Sequence, residues 1–111
     1  MSTLVESSPP AALVDAMGWI RRGWTQGAYC RNKANTAVLT TSNDIARVDL
    51  AWALWRAARD REVSEELLRR LVQEELPPAY QDCWGLERWN DKPGRTRTEI
   101  MLVLERTLSR L

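Results

Sequence analysis

A chain of 111 residues, 44% hydrophobic and 28% charged, predicts one globular domain with a single core. Its formal net charge of +1 argues against a protein whose main business is a nucleic-acid backbone, which needs a clear basic excess. It contains no histidine, which excludes a histidine-based catalytic triad and a histidine zinc site.

Residues 1–7 are expected to form a flexible tail before a single helical domain over 8–111. Ser8-Pro9-Pro10 starts the first helix, with Ser8 as N-cap and Pro9 at the first helical position. Leu13, Ala16, Met17 and Ile20 fall at core spacing. Gly23 suits the left-handed residue that ends a helix, and such an end would fold Trp24 back onto Trp19.

Residues 25–41 hold a turn-like Asn32-Lys33-Ala34-Asn35 followed by the β-branched run Thr36–Thr41, so a small hairpin is expected there. An isolated hairpin is marginal and must lie on the helices. Gln26 and Tyr29 are candidate polar lining for a pocket, set against ordinary loop hydrogen bonding.

Ser42-Asn43-Asp44 is expected to cap a second helix running to about Asp60. Ile45, Val48, Trp52 and Trp55 line one side of it; Leu50, Leu54 and several alanines line another. A helix apolar nearly all round is buried between neighbours, so this one is the central element. Ser64 caps a third helix over about Glu65–Leu76, with Glu65 and Glu66 suiting its N-terminus and Pro77-Pro78 ending it. Residues 79–90 form a short helix or turn carrying Tyr80, Cys83, Trp84 and Trp89.

The most patterned stretch is 84–99. Pro93-Gly94 is a turn signal, with Gly94 taking the positive φ of a type II turn. Asn90 and Asp91 are the side chains that most readily bond nearby backbone. Thr96 and Glu99 form T-x-x-E, a capping box for the last helix, Arg97 to about Arg110. The expected fold is therefore mainly α: a compact four-helix bundle-like domain around a central helix, with room for a small β-hairpin between the first and second helices.

The segment Trp89-Asn90-Asp91-Lys92-Pro93-Gly94-Arg95-Thr96 looks like W-N-D-x-P-G-R-T, and Gly23-Trp24-Thr25-Gln26-Gly27 looks like G-W-x-Q-G. In this order they resemble a domain-of-unknown-function family of small helical proteins from bacteria and their phages. Ala46–Arg59 resembles that family's alanine-rich middle helix, departing from it at Trp52-Ala53-Leu54, where the family tends to carry Gly-Ala-Leu. The resemblance implies a small helical fold and brings no activity with it.

Six tryptophans, two tyrosines and no phenylalanine leave the core and helix junctions to be built from indoles. Fourteen of the sixteen basic residues are arginine, so arginine–indole stacking is expected, and one exposed tryptophan could anchor an interface. A binding site would draw on Trp24, Gln26, Tyr29, Trp89, Asn90, Asp91 and Arg95, whose ring, amide, carboxylate and guanidinium groups could converge on a ligand; the bland alternative uses the same residues as a turn and a cap.

The enzyme case is thin. Cys83 has no histidine to activate it, and Asp82, Glu87 and Asp91 could hold a hard cation or act as acid and base, though turn carboxylates are mostly solvated or capping. No catalytic residue, metal or cofactor is expected. Cys30 and Cys83 read as reduced thiols of a cytoplasmic protein, their pairing left open. No window suits a membrane span or a signal peptide.

The expected function is a small non-enzymatic accessory protein, linked to phages or mobile elements by the resemblance, that binds a partner protein through a Trp/Arg surface. The alternative is nucleic-acid or small-ligand binding through Trp24, Gln26 and Trp89–Arg95, with Arg21, Arg22, Arg95 and Arg97 holding phosphates. Homo-oligomerisation stays open.

Overall fold

A computed structural model describes residues 8–111. The expected tail, 1–7, lies outside the described residues. Five α-helices run in the order α1 (Pro9–Arg22), α2 (Leu50–Arg61), α3 (Glu65–Gln73), α4 (Gly85–Asp91) and α5 (Arg97–Arg110), with a 3-10 turn at Pro78–Tyr80 before α4. Between α1 and α2, strand β1 (Cys30–Arg31) pairs antiparallel with β2 (Arg47–Val48), Cys30 opposite Val48. The mainly α architecture with a small hairpin is the one the sequence predicts.

Local chemistry sets most helix starts. The Ser8 hydroxyl accepts from the Ala11 amide, and the Ser64 hydroxyl from the Leu67 amide. The Thr96/Glu99 capping box is complete, each side chain bonded to the other's backbone N–H. Gly94 takes φ +86°, as its turn requires.

α2 begins later than expected. Its N-cap is Asp49, whose Oδ1 accepts from the Trp52 amide at 2.7 Å. Ser42-Asn43-Asp44 instead forms a local turn, with the Ser42 amide donating to the Leu39 carbonyl and the Asp44 amide to Ser42 Oγ. Arg47 and Val48, expected inside the helix, form the second strand. Thr36–Thr41, expected to be that strand, keeps one bridge, Ala37 to Arg31. The physical reason is non-local: β2 satisfies its backbone on β1 and on Gly23–Thr25, whose amides and carbonyls bond Val48 in both directions.

That pairing also corrects the end of α1. Gly23 is extended (φ 172°), not left-handed, and a Cβ there would meet the Ala46 carbonyl oxygen at 2.4 Å. Trp24 follows as a parallel bridge partner of Val48 and does not fold back on Trp19. The ring partner of Trp19 is Trp52, edge-on at 4.9 Å between centroids.

α2 is central, packed against α1, α3 and α4, while α5 closes the other side against α1 and α3. Its buried Leu50, Ala51, Trp52, Ala53, Leu54, Ala57 and Ala58 supply the middle of one continuous core. The alanines leave room for the neighbouring helices to approach. α3 stops at Gln73, short of Leu76, because Glu74–Leu76 tightens into a turn whose amides bond Arg70, Val72 and Gln73. Gly85 opens α4 for want of space: a Cβ would lie 1.8 Å from the Tyr80 carbonyl oxygen. Trp89, Asn90 and Asp91 therefore belong to a helix, and the turn expected of Asn90 and Asp91 begins only after them.

Candidate functional site

The two tryptophan-bearing segments, some sixty residues apart, meet at Asn90. This side chain is fully buried. Its Oδ1 accepts from the Trp24 indole N–H at 2.8 Å and from the Leu50 amide at 3.1 Å. Its Nδ2 donates to the Thr25 carbonyl and to Asp91 Oδ1. Gln26 Nε2 donates to the carbonyls of Asn90 and Lys92, closing the C-terminal end of α4. Asp91 Oδ1 also accepts from the Gly27 amide at 3.0 Å.

Arg95 completes the junction from the other side. Its guanidinium lies 4.0 Å from the centroid of the Trp89 ring, its Nε donates to the Trp89 carbonyl, and its Nη1 meets Glu99 at 2.8 Å. Six of the seven sequence-predicted site residues, Trp24, Gln26, Trp89, Asn90, Asp91 and Arg95, are thus brought together. The polar groups a ligand would use there are bonded to the protein itself. The junction also caps the central helix: Asn90 takes the Leu50 amide and Asp49 the Trp52 amide, two donors a helix start leaves orphaned.

Asp49 is nearly fully buried. Loss of solvent pushes its carboxyl up to about 8, with the charges of Asp91 and Glu87 adding to the rise and the Trp52 amide and Arg69 opposing it.

The seventh residue, Tyr29, stands elsewhere, on the rim of a cavity of about 250 Å³. Trp52, Trp55 and Ala51 of α2, Glu65 and Arg69 of α3, Glu87 of α4 and Thr40 complete the lining. Arg69 Nη2 contacts both Glu87 oxygens, at 2.8 and 3.1 Å, and the Cys83 carbonyl at 3.1 Å. The Tyr29 hydroxyl donates to Glu87 at 3.3 Å. Partial burial and the Glu87 charge raise the Tyr29 pKa. Glu65 approaches Arg69 only to 3.9 Å. A second groove shares Glu65 and Arg69 as a wall and continues over Gln73, Gln81, Asp82 and Cys83. Trp84, next in the chain, is 60% exposed, unlike the other five indoles.

Sequence reasoning placed Trp52 and Trp55 in the core stripe and Glu65 at the helix dipole, and passed over Arg69. The available signal was the i,i+4 spacing of Glu65 and Arg69 on one helix face. The three carboxylates weighed together for cation binding separate: Asp82 pairs with Arg88, Glu87 with Arg69, and Asp91 with Gly27 and Asn90. Among the described residues no cluster of three or more His, Cys, Asp or Glu side chains could hold a metal ion. Both cysteines are free; Cys83 is exposed, and burial raises the pKa of the Cys30 thiol. No helix among the described residues is long and apolar enough to cross a membrane.

With this geometry in view, comparison with known proteins gives one match. The chain belongs to a family of unknown function (DUF6197), matched over residues 6–110. No curated protein and no solved structure matches it. The DUF6197 match covers both the Asn90 junction and the cavity, so the two regions lie within the family's span.

Proposed function

We propose that this DUF6197 protein is a small non-enzymatic interaction module that binds a partner protein through the face running from Tyr29 past Arg69 to Trp84. The observation that carries the reading is Trp84. It is a large indole 60% exposed in a molecule that otherwise packs its tryptophans. Tryptophan and arginine are the residues most enriched where binding energy concentrates. The Cys83 carbonyl bonds Arg69 and Cys83 lines the groove beside α3, so Trp84 follows directly in the chain from the groove wall. The junction at Asn90 supports the same division of labour, since its donors and acceptors are turned inward.

The competing reading is nucleic acid. Arg97 donates to the Arg21 carbonyl, which brings its guanidinium to the last turn of α1 where Arg21 and Arg22 stand, while Arg95 is held by Glu99. Matched baits separate the two readings. Wild type and Trp84→Ala are used to capture partners from a lysate of the source cells. A protein recovered stoichiometrically by wild type and lost with Trp84→Ala is the expected result. Equal recovery by both, or recovery of nucleic acid that is lost with Arg21→Ala/Arg97→Ala, overturns the proposal.

A further inference from the structure

Resting on that reading, we propose that the cavity between α2 and α3 receives one basic side chain of the partner, a lysine or an arginine, with Glu65 as the receiving carboxylate. Size comes first. At about 250 Å³ the cavity falls below the range of clefts that enclose whole ligands, roughly 300–1,000 Å³, and suits one long side chain. Its walls come next. Trp55 and Tyr29 offer carbon-rich surface to a methylene stem and ring systems to a cation, with the nearly buried Trp52 and Ala51 behind them.

Charge then selects the end group. Two carboxylates and one guanidinium line the cavity, a surplus of one negative charge. Glu87 is committed: it takes two contacts from Arg69 and the Tyr29 hydroxyl. Arg69 gives its Nη2 to Glu87 and to the Cys83 carbonyl, which holds the guanidinium against Glu87. The Glu65 carboxylate makes no hydrogen bond, stands 3.9 Å from Arg69, and its side chain is 43% exposed. It is the carboxylate of the lining whose oxygens take no hydrogen bond from the protein. The molecule's own arginines show that these indoles accept cations: Arg56 stands over Trp52 at 5.9 Å and Arg59 over Trp55 at 5.5 Å. Arg56 is neutralised by Asp60, and Arg59, the competing charge, lies outside the lining.

The test uses the intact protein and small probes. Nα-acetyl-lysine methylamide and Nα-acetyl-arginine methylamide are titrated against it, with the uncharged Nα-acetyl-norleucine methylamide as control. The readout is the indole N–H resonances of Trp55 and Trp52. A saturable shift with at least one cationic probe is expected. Binding of norleucine should be about threefold to tenfold weaker, and Glu65→Gln should bring the cationic probe down to the same level. Glu66→Gln, one position round the helix and outside the lining, should change nothing.

No saturable shift with either cation, or an equal response to norleucine, overturns the proposal; the norleucine comparison needs only wild type and holds even if a variant fails to fold. The two readings fail separately. Probes that bind through Glu65 while capture is indifferent to Trp84 uphold the cavity and sink the interaction module. Capture that depends on Trp84 but not on Glu65, with silent probes, does the reverse.

Discussion

The Asn90 junction and the Tyr29 cavity draw on the same residue types: indoles, an arginine, carboxylates and an amide or hydroxyl. At the junction, Asn90 is fully buried and its side chain makes four hydrogen bonds, and Arg95 spends its guanidinium on Trp89 and Glu99. At the cavity, Arg69 and Glu87 neutralise each other while Glu65 and the rim of Tyr29 stay open to solvent. Composition does not separate a structural lock from a receptive surface. The count of uncommitted donors and acceptors does. Substitution should therefore cost the fold at the first region and cost recognition at the second.

The largest effect is expected from Asn90→Ala. It strands the buried Leu50 amide, the Thr25 carbonyl and the part-buried Trp24 indole N–H. Each stranded group costs about 1–3 kcal/mol, so a loss of about 3 kcal/mol or more is expected in urea unfolding. A loss under about 1 kcal/mol would mean that water reaches these groups, and the contrast between the regions would collapse.

Asp49→Asn gives the next effect and probes the boundary between the regions, since the charges of Asp91 in the junction and Glu87 in the cavity both raise the Asp49 pKa. Its carboxyl titrates ordinarily near 3.8 and in the fold near 8. Between those values the folded chain holds a proton that the unfolded chain has released. Stability from this group is therefore complete below about pH 4 and falls as pH rises toward 8. Asparagine keeps an acceptor for the Trp52 amide and cannot ionise. The variant should gain on wild type between pH 5 and 8, the gap opening by about 1 kcal/mol or more in urea midpoints followed with pH. Parallel curves would show that Asp49 ionises freely in the fold.

Much of the helical frame was legible because its devices are local. Ser8, Ser64, the Thr96/Glu99 box and Gly94 act on backbone within a few residues, and each does what its spacing predicts. The choice of Asp49 over Asp44 as cap was not legible. Both are good N-caps, and the decision lies with β1 and with Asn90, 40 residues downstream of Leu50. Asn90 read as a turn former for the same reason: its partners Trp24 and Thr25 are more than 60 positions away. The cavity was legible only in fragments. Glu65 with Arg69 and Trp52 with Trp55 are ordinary helix pairs until α4 brings Glu87 against them.

Trp84→Ala should have the smallest effect on the fold, and for that reason it sharpens the contrast most. The local structure around Trp84 is held by backbone, which alanine preserves: its amide donates to Asp82 Oδ1 and its carbonyl accepts from the Arg88 amide. Its side chain lies outside the packed core. Unfolding stability should stay within about 0.5 kcal/mol of wild type. The readily quenched part of the tryptophan fluorescence should disappear with it, since acrylamide reaches an exposed indole first. A melt about 2 kcal/mol weaker would assign this indole a packing role, and a protein that evolution had packed throughout would have no spare tryptophan to offer a partner. Stability unchanged with quenching lost leaves an exposed indole that the fold does not use, one residue beyond Cys83 at the edge of the groove lined by Arg69 and Glu65.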